Sequence, residues 1–101
     1  MNIYYIMIEA VPRSDNPESR ELGGAYINCW VKAATQKEAL IKAREYVDWE
    51  NWIFIKTEDV FIAQRHFYFD EPASLECYDE ACESGISAAF YTWPIDEKPV
   101  N

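Results

Sequence analysis

The chain is short of the residues on which most small catalytic sites are built. Three glycines in 101 residues leave no G-x-G-x-x-G and no G-x-x-x-x-G-K-S/T, so a loop cradling phosphate with its backbone N–H groups is not expected. H-E-x-x-H and G-x-S-x-G are absent as well. With one histidine, His66, and three cysteines lacking C-x-x-C spacing, a zinc site would need carboxylates or a mixed ligand set. No metal and no cofactor are expected. Basic residues are few: nine Lys and Arg stand against eighteen Asp and Glu, a net charge of −9. That sign disfavours a nucleic-acid backbone as partner, because such binding draws its affinity from cations that replace phosphate counterions. No apolar run approaches the roughly 18 residues of a membrane-spanning helix. The first ten residues are apolar but lack a basic n-region, contain Glu9 and end at Pro12, unlike a signal peptide. A cytoplasmic setting without membrane contact is expected.

What the sequence does hold is hydrophobic mass: half the residues are hydrophobic and 16% are aromatic, enough for a single domain over 1–101 that buries about two-thirds of its unfolded surface. The clearest local signal lies at Ala25–Ala33 and the segment after it. Ile27, Cys29, Val31 and Ala33 alternate with Tyr26, Asn28, Trp30 and Lys32, the two-residue period of a strand with a small apolar face and a face of large rings. Thr35 and Glu38 form a T-x-x-E capping box, and behind it Ala39, Leu40, Ala43, Tyr46 and Val47 make one helical stripe to about Asp48.

Elsewhere, Ile3–Ala10 reads as a strand apolar on both sides. Residues 11–23 lose periodicity and collect Pro, Ser, Asp and Asn, a long mobile loop. Trp52–Lys56 and Val60–Phe69 read as two strands meeting at Glu58-Asp59, one long bent strand being the alternative. Pro72–Ser84 reads as a second helix, with Pro72 in its first turn, Gly85 just past its end, and Leu75, Tyr78, Ala81 and Cys82 as its buried stripe. Ile86–Trp93 is the last strand, and 95–101 is a frayed tail. Cys77 and Cys82, five residues apart on that helix, project about 140° apart, and all three cysteines read as reduced thiols.

These elements give an α+β fold with a four- to five-stranded, largely antiparallel sheet and two helices on one face. From residue 25 the order is βαββαβ, ferredoxin-like, with an extra N-terminal strand. If both helices cover the Ile27/Cys29/Val31 face, Tyr26 and Trp30 are displayed on the other, and large exposed apolar patches mark interaction sites.

Charge points to a partner as well. From His66 onward eight carboxylates face one lysine, Lys98, a net of −7, and Glu76, Asp79, Glu80 and Glu83 share the outer face of the second helix. The expected function is therefore a protein-binding module, of the immunity, inhibitor or regulatory kind, that contacts a basic partner protein through Tyr26, Trp30, Glu76, Asp79, Glu80 and Glu83. The alternatives are a dimer or larger homo-oligomer formed through the sheet face, structural or sensing a small molecule, and a small cleft enzyme using His66 as base.

Overall fold

The computed structural model describes residues 1–100. Four strands, β1 (Asn2–Pro12), β2 (Leu22–Ala33), β3 (Trp52–Ala63) and β4 (Ile86–Pro94), form one sheet in the order β3-β1-β2-β4. Every neighbouring pair is antiparallel. Helix α1 (Gln36–Trp49) joins β2 to β3, and helix α2 (Pro72–Ser84) precedes β4.

The central pair carries the alternation read from the sequence. Tyr5 lies opposite Trp30 and Ile6 opposite Cys29, so Tyr4, Ile6, Ile8, Ala10, Ala25, Ile27, Cys29, Val31 and Ala33 share one face. Helix α1 seals that face with Ala39, Ala43 and Val47. Thr35 caps it, its Oγ1 accepting from the Glu38 N–H at 3.2 Å. Only this half of the capping box forms, because the Glu38 carboxylate pairs instead with Lys42 at 3.0 Å.

The expected break at 57–59 is not a turn. Residues 52–63 form one strand in which Ile55 and Glu58 are passed over in the pairing with β1, two bulges that bend the strand without ending it. The strand stops at Ala63, and Arg65–Tyr68, read as strand, is a 3₁₀ turn. Only one strand therefore separates the helices, and the ferredoxin-like order with an extra strand is not formed.

This change also moves α2. A helix between two parallel strands is held to one side of the sheet by the handedness of its crossover, but β3 and β4 run antiparallel at opposite edges. The helix is free to follow the apolar surface still uncovered. The chain leaves β3 through the 3₁₀ turn and lays α2 across the other face, where Ile3, Trp30, Ala63, Tyr68 and Ala81 form a second core. The two helices cover opposite faces of the sheet, not one. On α2 the buried stripe is Ala81 with Leu75, Cys77 and Tyr78 partly covered, whereas Cys82 is exposed. Gly85 ends α2 at φ 98°, the left-handed position that a side chain would strain.

The remaining end of this second face is closed by the C-terminal segment. Tyr26 packs on Trp93 with ring centres 4.9 Å apart, and Lys98 Nζ reaches the buried Glu9 carboxylate at 3.0 and 3.1 Å. Gly24 is required beneath Trp93, since a Cβ there would lie 2.4 Å from the indole. The tail thus has partners up to Lys98; Asn101, included in the expected fraying, lies outside the described residues. The 11–23 loop is reduced to 13–21. There Asn16 is buried, accepting from the Glu18 N–H and donating to Asn51 O, and Arg13 pairs with Asp48. Among the described residues no helix is long and apolar enough to cross a membrane.

Trp30 is 1% exposed, and its ring meets Tyr5 and Tyr68 edge-on at 5.4 and 5.8 Å. Replacing it with alanine should therefore lower unfolding stability by about 3–5 kcal/mol, read by urea denaturation. Unchanged stability with an altered oligomeric state would place Trp30 in an interface instead.

Candidate functional site

The residues expected to bind a partner divide sharply by accessibility. Tyr26 and Trp30 are buried. The expectation that they are displayed fails because α2, Tyr68 and the C-terminal segment cover their face. The face is indeed occupied, but by the chain itself, so packing of sheet faces through Trp30 is not open to a second copy. The indole N–H of Trp30 and the hydroxyl of Tyr68 are both buried outside hydrogen-bond geometry. Burial pushes the Tyr68 hydroxyl pKa up, and the nearby Trp30 N–H pulls it back in part.

The acidic residues of α2 face water. Glu76, Glu80 and Glu83 are exposed and form no ion pair among the described residues. Asp79 differs: Arg65 grips it with two bonds, Nε to Oδ1 at 2.8 Å and the terminal nitrogen to Oδ2 at 3.0 Å. This bidentate pair holds the Asp79 carboxyl below its usual range and ties the 3₁₀ turn to α2. Just ahead of the helix, Phe67 and Phe69 are 46% and 62% exposed, and the Arg65 guanidinium lies 5.9 Å from the Phe69 ring centre. Arg65 thus links one carboxylate of the helix, Asp79, to the exposed Phe69 ring at its entry. The sequence signal for the rings was present in Phe67 and Phe69 but was absorbed into a strand that does not extend so far.

His66 sits in the same 3₁₀ turn, edge-on to Phe67 at 5.0 Å. It borders an open recess of about 640 Å³ together with Arg65, Lys32, Tyr78 and Cys82. No carboxylate or thiol is hydrogen-bonded to His66 among the described residues, so the pairing that a general base needs is not assembled. Nor do the described residues place three or more His, Cys, Asp or Glu side chains where they could hold a metal ion.

A feature missed in the sequence is the groove between α1 and β4 on the α1 face. A recess of about 450 Å³ is lined by Tyr46, Trp49 and Glu45 of α1 and by Gly85 and Ile86. Further along β4, a smaller recess of about 180 Å³ lies between Glu50, Glu18, Phe90 and Thr92. Trp49 is 80% exposed at the groove's rim. Burial, and then the Glu50 carboxylate beside it, push the Tyr46 hydroxyl up to about 12. No family model, curated protein or solved structure matches the chain.

The thiols show the same contrast between core and surface. Burial pushes Cys29 up to about 12 from 9.0, so it stays protonated and unreactive in the folded chain. The unfolded thiol ionises near 9.0, whereas the folded one holds its proton to about 12. The unfolded state then binds fewer protons, and stability falls as pH rises through that window. Tyr5 and Tyr46, both raised from 10.0 to about 12, add to the decline above 10.0. Maleimide should label Cys82 in the native protein and Cys29 only on unfolding. Cys29→Ala should remove the part of the alkaline decline that begins below 10.0; fast native labelling of Cys29 would contradict its burial.

Proposed function

We propose that the chain is a binding module that acts by contact with a basic partner protein, in the manner of an inhibitor or immunity protein. The observation that carries this reading is the α2 surface, where Glu76, Glu80 and Glu83 stand exposed and unpaired among the described residues, on a helix to which Arg65 ties the turn bearing the exposed rings of Phe67 and Phe69. Charge on such a surface steers encounter, while rings supply contact area at small entropic cost. Asp79 acts differently, holding Arg65 and with it the ring-bearing turn.

Of the residues first expected to meet a partner, Glu76, Glu80 and Glu83 keep that role in this proposal. Tyr26 and Trp30 do not, since a partner would have to remove their covers first. An enzyme centred on His66 draws no support from the arrangement around it. The fold therefore serves the function by presenting a surface, with α2 fixed through its second core.

The test is affinity capture on the immobilised chain at low salt, with kinetics measured on the purified partner. A basic protein should elute as salt rises, and reversing Glu76, Glu80 and Glu83 to Lys should slow association about tenfold or more. Phe69→Ala should instead speed dissociation, costing more than about 1 kcal/mol. A charge-reversed variant that associates as fast as the parent would remove α2 as the contact.

A further inference from the structure

The two edges of the sheet are treated very differently. β3 is blunted along its length by two bulges, by Lys56, Glu58 and Asp59 at its middle, and by the Asp59 carboxylate, which accepts from the Val60 N–H at 2.9 Å. Such devices are what natural sheets use to stop other strands from pairing. Over Ile86–Trp93 β4 carries none of them; only at its last residue, Pro94, do a proline and a register shift against β2 occur. Its sequence, Ile86-Ser-Ala-Ala-Phe-Tyr-Thr-Trp93, has no charge and no proline, and its register with β2 is unbroken from Ile86 to Trp93.

The free hydrogen-bonding groups of β4 follow from that register. Lys32 N–H bonds Gly85 O at 2.9 Å, and bonded pairs alternate along an antiparallel ladder. Ser87, Ala89, Tyr91 and Trp93 therefore turn their backbone groups toward β2, and Ile86, Ala88, Phe90 and Thr92 turn theirs outward. Ser84 Oγ reaches Ile86 O only at 3.5 Å. Beside this open ladder runs the groove floored by Ile86 and Phe90 and walled by Tyr46 and Trp49.

We propose that β4 accepts an extended segment of a partner protein as a fifth strand. The incoming backbone completes the ladder, and apolar side chains at alternate positions enter the α1–β4 groove. The occupant is basic at its flanks, because Glu45, Glu50 and Glu18 border the groove while Lys42, its one cation, is engaged with Glu38. The same charge argues against a second copy, since two chains of −9 would have to meet along that rim. Of α2 only Ser84, its last residue, lines this groove, and none of Glu76, Glu80 and Glu83 does, so its test stands or falls without the α2 reading.

The probe is a synthetic peptide alternating valine and threonine, with lysines at both ends, titrated into the full chain and followed by backbone amide NMR. Shifts should be confined to β4 and the second half of α1. N-methylating alternate residues of the peptide should weaken binding about tenfold or more for the set that faces β4, and leave it unchanged for the other set. Ala88→Pro removes only an outward N–H, a change that edge strands tolerate, and should abolish binding while the unfolding midpoint is kept. The N-methyl comparison uses the unaltered chain and does not depend on that variant folding. Binding indifferent to both N-methyl sets, no binding at all, or a dimer of the chain broken by Ala88→Pro would overturn the proposal, the last by making a second copy the occupant.

Discussion

The two central strands are apolar on both sides, and a sheet with two apolar faces must be covered twice. Leaving the side of Tyr5 and Trp30 in water would forfeit about 25 cal/mol for each Å² of that surface, and Trp30 alone is the largest fully buried side chain in the chain. Helix α1 is committed to the Ile27/Cys29/Val31 side by its crossover from β2 to β3. The second cover has to come from what remains, and the route through Arg65–Tyr68 into α2 supplies it. The Arg65–Asp79 pair and the Lys98–Glu9 pair fasten the two ends of that cover.

Covering both faces decides where the molecule can meet others. With the rings of the sheet interior sealed, what is left outside is the outward side of each helix and the two strand edges. One edge is defended and the other is plain. The outward placement of the acidic side of α2 follows from that packing, and the open edge of β4 from the strand order. In the readings proposed above both would meet a positively charged partner, the first through steering and the second through the carboxylates along its groove.

Much of the fold was legible because its signals are local. Alternation in Ile3–Ala10 and Ala25–Ala33, the Thr35 cap, Pro72 and the Gly85 terminator each specify an element within a few residues. What was illegible depended on partners distant in sequence. Thr57-Glu58-Asp59 looks like a break in a strand, but β1 pairs across it, with Ile55 and Glu58 taken up as bulges. Arg65–Tyr68 is β-prone by composition, yet the need to turn the chain onto the far face makes it a 3₁₀ turn. The break read at 57–59 added a strand and with it the ferredoxin-like order, which puts both helices on one side. The candidate site failed at the same point: Tyr26 and Trp30 were correctly placed on one face, but which helix covered it was set by topology. The carboxylates of α2 were legible because a helical stripe exposes them wherever the helix lies. The open edge of β4 was not, since edge position belongs to the strand order alone.

The account rests on a sheet sealed on both faces and open along β4, and amide hydrogen exchange reads both properties in one measurement. It predicts strong protection through β1 and β2, including Trp30, and an alternating pattern in β4, with Ser87, Ala89 and Tyr91 slow and Ala88, Phe90 and Thr92 fast. Uniform protection along β4 would mean that its edge is already paired, and fast exchange at Trp30, whose N–H faces Ser87, would mean that the β2–β4 ladder beneath α2 is not closed.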